Sequence, residues 1–206
     1  MNLQTNQNRR AQFKNELLRK GIHLLVAFIP ALADHNRSFT IILLCAGSVI
    51  YLTGEIFRMR GHSIPLLTRV TAFASRPREA GKFVPGPLTL ALGAVLSLLI
   101  FPAITADSRA FHAAIYALAF GDGLSGLIGR PFGRFRPAFL FGKSIEGSIV
   151  CFVAVFISTC AVTGHPRISL ATALTTTLVE ALPLRNIDNI AIPLTAGFTV
   201  MLLSAT

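Results

Sequence analysis

A chain of 206 residues that is 52% hydrophobic, only 14% charged and without Trp, at a mean hydropathy of +0.63, falls well short of the roughly 25% charged residues of a soluble globular domain. That composition points to an all-α, polytopic membrane protein with a single domain over 1–206. The formal net charge of +10 does not make a nucleic-acid binder, because the basic residues border apolar runs and form no continuous basic face; anionic headgroups and phosphate ligands are the expected partners.

Residues 1–16 form a basic N-terminal segment with Arg9, Arg10 and Lys14, and Arg19 and Lys20 lead into an apolar run. Arg9-Arg10 and Ala31-Leu32-Ala33 have features of a cleaved signal, but His23 interrupts the apolar core and further spans follow. A first spanning helix over about 17–33 is therefore predicted. Lys20 and His23 share a face near its basic end, where His23 reads either as an interfacial anchor or as a site residue.

Further spans are predicted over about 38–57, 84–104, 110–128, 145–163, 168–184 and 188–204, about seven transmembrane helices in all, each just long enough for a bilayer core. Between the second and third, the stretch 61–83 carries Ile64, Leu67, Val70 and Ala74 at helical spacing, with Arg69, Arg76, Arg78 and Lys82 supplying charge. An amphipathic helix lying in the interface and a basic connecting loop both fit it. Cys45, Cys151 and Cys160 all fall inside apolar runs without a Cys-x-x-Cys pair and read as reduced packing residues.

Seven spans put every Lys and Arg except Arg37, Arg109 and Arg167 on one side. Positive charge marks the cytoplasmic side, so the expected orientation is a cytoplasmic N-terminus, an external C-terminus and a site facing the cytoplasm, in a bacterial inner membrane. The same alternation brings Glu55, Asp122, Glu146, Glu180 and Asp188 to the cytoplasmic level. An acid in or beside a span is unfavourable unless paired with a cation or a metal. A neighbouring Arg could account for any one of them, but five together beside a basic turn read as a Mg²⁺-nucleotide site.

The centre of that site is 120–148. Asp122 interrupts an apolar run, and Gly121, Gly123, Gly126 and Gly129 let backbone, ligand or another helix come close. Arg130, Arg134, Arg136 and Lys143 follow, and Glu146 opens the next run. Hard carboxylate oxygens bind Mg²⁺, which bridges phosphate oxygens; Lys and Arg neutralise the transferring group, and a further carboxylate can take the proton of an attacking hydroxyl. Gly142-Lys143-Ser144 is not a P-loop, since Pro137 stands where that motif has its first Gly.

Taken together, these residues resemble the integral-membrane CTP-dependent lipid kinases, a family that includes dolichol kinase, phytol kinase and the yeast-type diacylglycerol kinase and is distantly related to phosphatidate cytidylyltransferase. The resemblance rests on Arg19-Lys20-Gly21-Ile22-His23, on Arg76 to Glu79, and on Gly93 to Pro102. It continues through Gly121-Asp122-Gly123 with Gly129-Arg130 and Phe132-Gly133, Lys143-Ser144-Ile145-Glu146-Gly147-Ser148, and Glu180 to Pro183 with Asp188-Asn189 and Pro193.

It implies phosphoryl transfer from CTP to the hydroxyl of a membrane lipid alcohol, a phytol or other prenol, a polyprenol or diacylglycerol, with Mg²⁺ or a similar ion. On this resemblance Asp122, Glu180 and Asp188 are the catalytic candidates, with Asp122 and Asp188 as metal ligands. Gly121, Gly123, Arg130, Lys143, Ser144 and Glu146 would contact the nucleotide, and Lys20, His23, Arg76, Glu79 and Asn189 lipid or phosphate. Phosphatidate cytidylyltransferase is the nearest alternative, although its Ser-Pro-x-Lys-Thr-type run is here Phe141-Gly142-Lys143-Ser144-Ile145. A transporter is the alternative of another class, with acids then expected along a mid-bilayer path.

Overall fold

The computed structural model describes residues 16–62, 71 and 81–205, and among them the chain is helical with no strand. The first helical run, Glu16–Met59, is 44 residues long, about twice what a bilayer core needs. It contains a tight 3₁₀ turn, Val26–Phe28, just before Pro30, and breaks at Asn36, whose φ of −155° and ψ of 99° are extended. Asn36 Oδ1 accepts from Phe39 N (2.9 Å), capping the helix that starts after the break. We name the parts α1 (16–35) and α2 (37–59).

The remaining helices are α3 (Gly86–Ile104), α4 (Arg109–Phe132), α5 (Ile145–Thr163), α6 (Pro166–Ala181) and α7 (Asp188–Ser204). Their ends carry ordinary signals. Ser144 caps α5 by accepting from Gly147 N (3.2 Å), Gly164 ends it at φ +68°, and Pro166 sits in the first turn of α6. By length and composition, the first run, α3, α4 and α5 are each able to cross a membrane; α7 is shorter at 17 residues and α6 has 16.

The predicted runs 145–163 and 188–204 match α5 and α7, and the others differ by a few residues at their ends. The expected polar link at 34–37 is reduced to the break at Asn36. Most of 61–83 lies outside the described residues, as do Arg76 and Glu79, so the amphipathic stretch is not described.

Contacts show that the chain doubles back at Asn36. Lys20 reaches Asp122, Asp34 meets His112 at the other end of α4 (3.0 Å), and Glu55 returns to bind Val84 N ahead of α3 (2.8 Å). Glu55, 1% exposed, also takes two hydrogen bonds from Arg58 (2.8 and 2.6 Å) and one from Thr71 (3.2 Å). This carboxylate staples the end of α2 to the chain entering α3, which accounts for its burial without a ligand.

The core forms around α4, the most buried of the long helices. Ala113, Ala114, Ile115 and Leu118 are wholly buried against Leu98 and Phe101 of α3, Ile29 of α1 and Val200 of α7. On the other flank Ala117 packs with Cys151, Val155, Ala173 and Ile192. Cys151 is thus a buried packing residue, whereas Cys45 is exposed on α2. The outer surface is also apolar: Ile42, Val49, Ile157, Leu178 and Leu202 are each more than half exposed, an arrangement suited to hydrocarbon surroundings and unfavourable in water.

Gly197 illustrates how closely the helices approach, since a Cβ there would fall on the ring of wholly buried Phe101. Gly197→Ala is expected to lower the stability of the bundle by about 1–3 kcal/mol, read as an earlier midpoint in a detergent-unfolding titration. An unchanged midpoint would show that α3 and α7 are not packed in this way.

Candidate functional site

Just before Asp122, α4 widens into a π-helical segment, Ala117–Asp122. Such segments are rare inside helices and cluster at functional sites. Glycines within and after it let two elements, α1 and α5, close on it. A Cβ at Gly121 would press on Val155 of α5 (2.8 Å), and at Gly123 it would meet Leu24 and His23 of α1 (3.4 and 3.7 Å). At Gly126 it would occupy the place of the Lys20 side chain, with Nζ at 2.9 Å and Glu16 Oε1 at 3.2 Å. Gly129 and Gly147 similarly bring α4 and α5 into backbone contact.

Lys20 therefore crosses from α1 over Gly126 and donates to both the carboxylate Oδ2 (2.7 Å) and the main-chain carbonyl (2.6 Å) of Asp122. Its side chain is 3% exposed. His23 Nδ1 stands 3.0 Å from the same Oδ2 without the angle of a hydrogen bond. The anchor reading of His23 is thus corrected: the residue is 5% exposed and backs Asp122, because α1 turns this face into the bundle.

Glu16 adds a second layer, pairing with Arg19 and with Arg130 Nη1 (3.3 Å). In the sequence its only local signal is an acid three and four residues before Arg19 and Lys20, at the end of a basic segment, too little to mark it as a site residue.

From the opposite wall comes the turn between α4 and α5. It contains a short 3₁₀ turn, Ala138–Leu140, and left-handed backbone at Phe141 (φ +50°) and Gly142 (φ +87°). Arg136 fixes it by donating to Gly142 O and Gly129 O (both 2.7 Å), so this guanidinium ties down the end of α4. Glu146 Oε1 accepts from Arg134 N (2.8 Å) and Phe135 N (3.2 Å), closing the turn onto the start of α5. Ser144 donates to Gly129 O (3.1 Å) besides capping α5.

Lys143 is projected from this turn to Glu180 at the end of α6, donating to its carbonyl and to Oε1 (2.9 Å). Glu180 is 6% exposed, and its Oε2 has no hydrogen-bond partner among the described residues. Asp188 begins α7, with Oδ1 accepting from Asn189 N (3.0 Å), and its charge acts on Arg19 as that of Asp122 does.

Between these walls lies a cavity of about 630 Å³, lined by Lys20, Asp122, Arg130, Lys143, Ser144, Glu180 and Asp188 among the predicted residues. Gly126, Arg136 and Arg185 also line it. Other predicted site residues stand back from the cavity. Gly121 and Gly123 are helix-packing positions, Glu146 holds the turn, and Asn189 joins α7 to α3 through Thr89 Oγ1 (2.8 Å).

Positive side chains surround a smaller set of carboxylates here, a balance suited to a polyanionic ligand. Among the described residues no three His, Cys, Asp or Glu side chains gather as a metal cage. The two carboxylates Asp122 and Asp188 are nevertheless donors of the kind Mg²⁺ takes when phosphates complete its shell. Asp122 Oδ2 is already committed to Lys20 and His23, so Oδ1 is the oxygen that residue has left to offer.

Fold and site together define a bundle of apolar helices with a cation-rich polar cavity at one end. No family model, curated protein or solved structure matches the chain.

Proposed function

We propose that this protein is a membrane phosphotransferase that moves the γ-phosphoryl group of CTP, or a related nucleotide, to the hydroxyl of a lipid alcohol at the cytoplasmic face. The observation that carries this reading is the cavity itself, in which Lys20, Arg130, Lys143 and Arg185 surround Asp122, Glu180 and Asp188 at the end of an apolar bundle. Such a cavity suits a ligand with several phosphate charges, and its setting suits an acceptor held in the bilayer. The proposed topology has seven crossings with α1 and α2 as the first two, the N-terminus inside and the C-terminus outside, since nearly all Lys and Arg then lie on the cavity side.

Lys143 and Arg130 hold phosphate oxygens and offset the charge of the transferring group. Asp122 and Asp188 would hold a Mg²⁺ ion arriving with the nucleotide, which supplies further neutralisation of phosphate charge. Lys20 and His23 keep the Asp122 carboxylate fixed, and the buried wall behind it limits water that would otherwise compete with the alcohol.

The test is a mixed-micelle assay with Mg²⁺ and CTP labelled at the α or the γ phosphorus, offering phytol, a polyprenol, diacylglycerol and phosphatidate separately. Label from the γ position in an alcohol is the expected result and identifies the acceptor. Label from the α position in phosphatidate, with pyrophosphate released, would replace this reading with cytidylyl transfer. Absence of both label transfer and nucleotide binding would favour a transporter.

A further inference from the structure

Resting on the phosphotransferase reading, we infer that Glu180 is the carboxylate that takes the proton of the attacking hydroxyl, and that Lys143 keeps it covered until nucleotide phosphates draw the lysine away. The carboxylates around the cavity differ in how firmly each is held. Asp122 and Glu180 are each bound by a lysine that also donates to the carbonyl of the same residue, but the lysine on Asp122 has a side chain only 3% exposed. Packing over Gly126 prevents that lysine from leaving. Asp188 accepts from Asn189 N, the second amide of its own helix, and Glu146 faces the turn.

Among the described carboxylates, Glu180 alone combines a buried oxygen lacking a donor with a partner able to move. Oε2 is the unpartnered atom; Lys143, on Oε1, has a side chain 29% exposed at the cavity wall and follows the sharp turn at Phe141 and Gly142. A buried carboxylate oxygen without a donor is unfavourable, and such atoms in folded proteins call for an explanation. A proton-accepting role supplies one: with no donor on Oε2, the carboxylate depends on Lys143 alone among the described side chains to offset its charge, and takes a proton on Oε1 when that lysine leaves. Polyphosphate offers Lys143 more negative charge than one carboxylate does, so the ammonium transfers to the phosphates. Glu180 is then left as uncompensated buried charge, which the hydroxyl proton discharges.

In the step itself the lipid oxygen forms a bond to the γ phosphorus, and the bond from that phosphorus to the β–γ bridging oxygen breaks. Its electron pair leaves with the nucleoside diphosphate, and the hydroxyl proton moves to Glu180 Oε1, the oxygen Lys143 has vacated. Phe141 and Leu182, apolar and well exposed at the cavity edge, are placed to hold the chain of the alcohol. Nucleotide must therefore bind before the alcohol can react.

The test needs no turnover. Full-length protein in detergent is treated with a hydrophobic carbodiimide, which modifies protonated buried carboxyls, with and without a non-hydrolysable CTP analogue whose binding is followed by equilibrium dialysis. Glu180 modification, read by peptide mass spectrometry, is expected to rise about tenfold with nucleotide and to be high without it in Lys143→Gln. Glu180→Gln should keep nucleotide affinity while losing about 10²–10⁴-fold in kcat. If the analogue binds but Glu180 modification stays flat, the Glu180 assignment is overturned while the phosphotransferase reading stands; if the analogue does not bind, both fall.

Discussion

Asp122→Asn is expected to abolish turnover and, separately, to destabilise the protein by about 3–5 kcal/mol. From sequence alone this substitution is expected to leave folding in detergent largely intact. In the structure Asp122 is the counter-ion of Lys20, whose ammonium is buried and 2.7 Å from Oδ2. The amide keeps the shape but not the charge, leaving the cation unpaired in a poorly solvated place.

The two effects separate in a double variant. Lys20→Met together with Asp122→Asn removes both charges, so the detergent-unfolding midpoint should return most of the way to wild type while activity stays absent. Should the single variant unfold at the wild-type midpoint, the ion pair does not hold α1 to α4. Should it retain near-normal phosphoryl transfer, Asp122 has no part in the chemistry.

Lys143→Met is expected to weaken nucleotide binding by about tenfold to hundredfold, the worth of one or two charge-assisted hydrogen bonds to phosphate. Lipid binding should change little, because the apolar cavity edge at Leu182 and Phe141 is untouched. The comparison that decides is KM for nucleotide against KM for alcohol: a rise confined to the alcohol would take Lys143 out of the phosphate site. Stability responds as well, since Glu180 loses the Lys143 ammonium from its carboxylate; a milder unfolding shift than that of Asp122→Asn is expected, because Glu180 lies at the cavity wall and solvent reaches Lys143.

Helical class and the positions of the apolar runs were determined by sequence alone, because hydropathy is a local property that a window of about 20 residues measures without knowledge of neighbours. The same holds for α5, whose Ser144 cap and Gly164 stop lie next to the residues they act on. The cluster of Asp122, Lys143, Glu180 and Asp188 was legible too, since alternating helices return their ends to the same level.

Tertiary structure decided which partner each charge takes. Lys20 and Asp122 are 102 positions apart, and Glu16 and Arg130 are 114 apart; both pairings depend on how α1 is rotated and on the absence of a side chain at Gly126. Glu55 and Glu146 carry the same carboxylate as Glu180. One is saturated by Arg58, Thr71 and Val84, another binds the turn it adjoins, and of these three only Glu180 combines a buried oxygen that has no partner among the described residues with a movable lysine. Residue type specifies what a side chain can bind, and only packing specifies what lies within its reach.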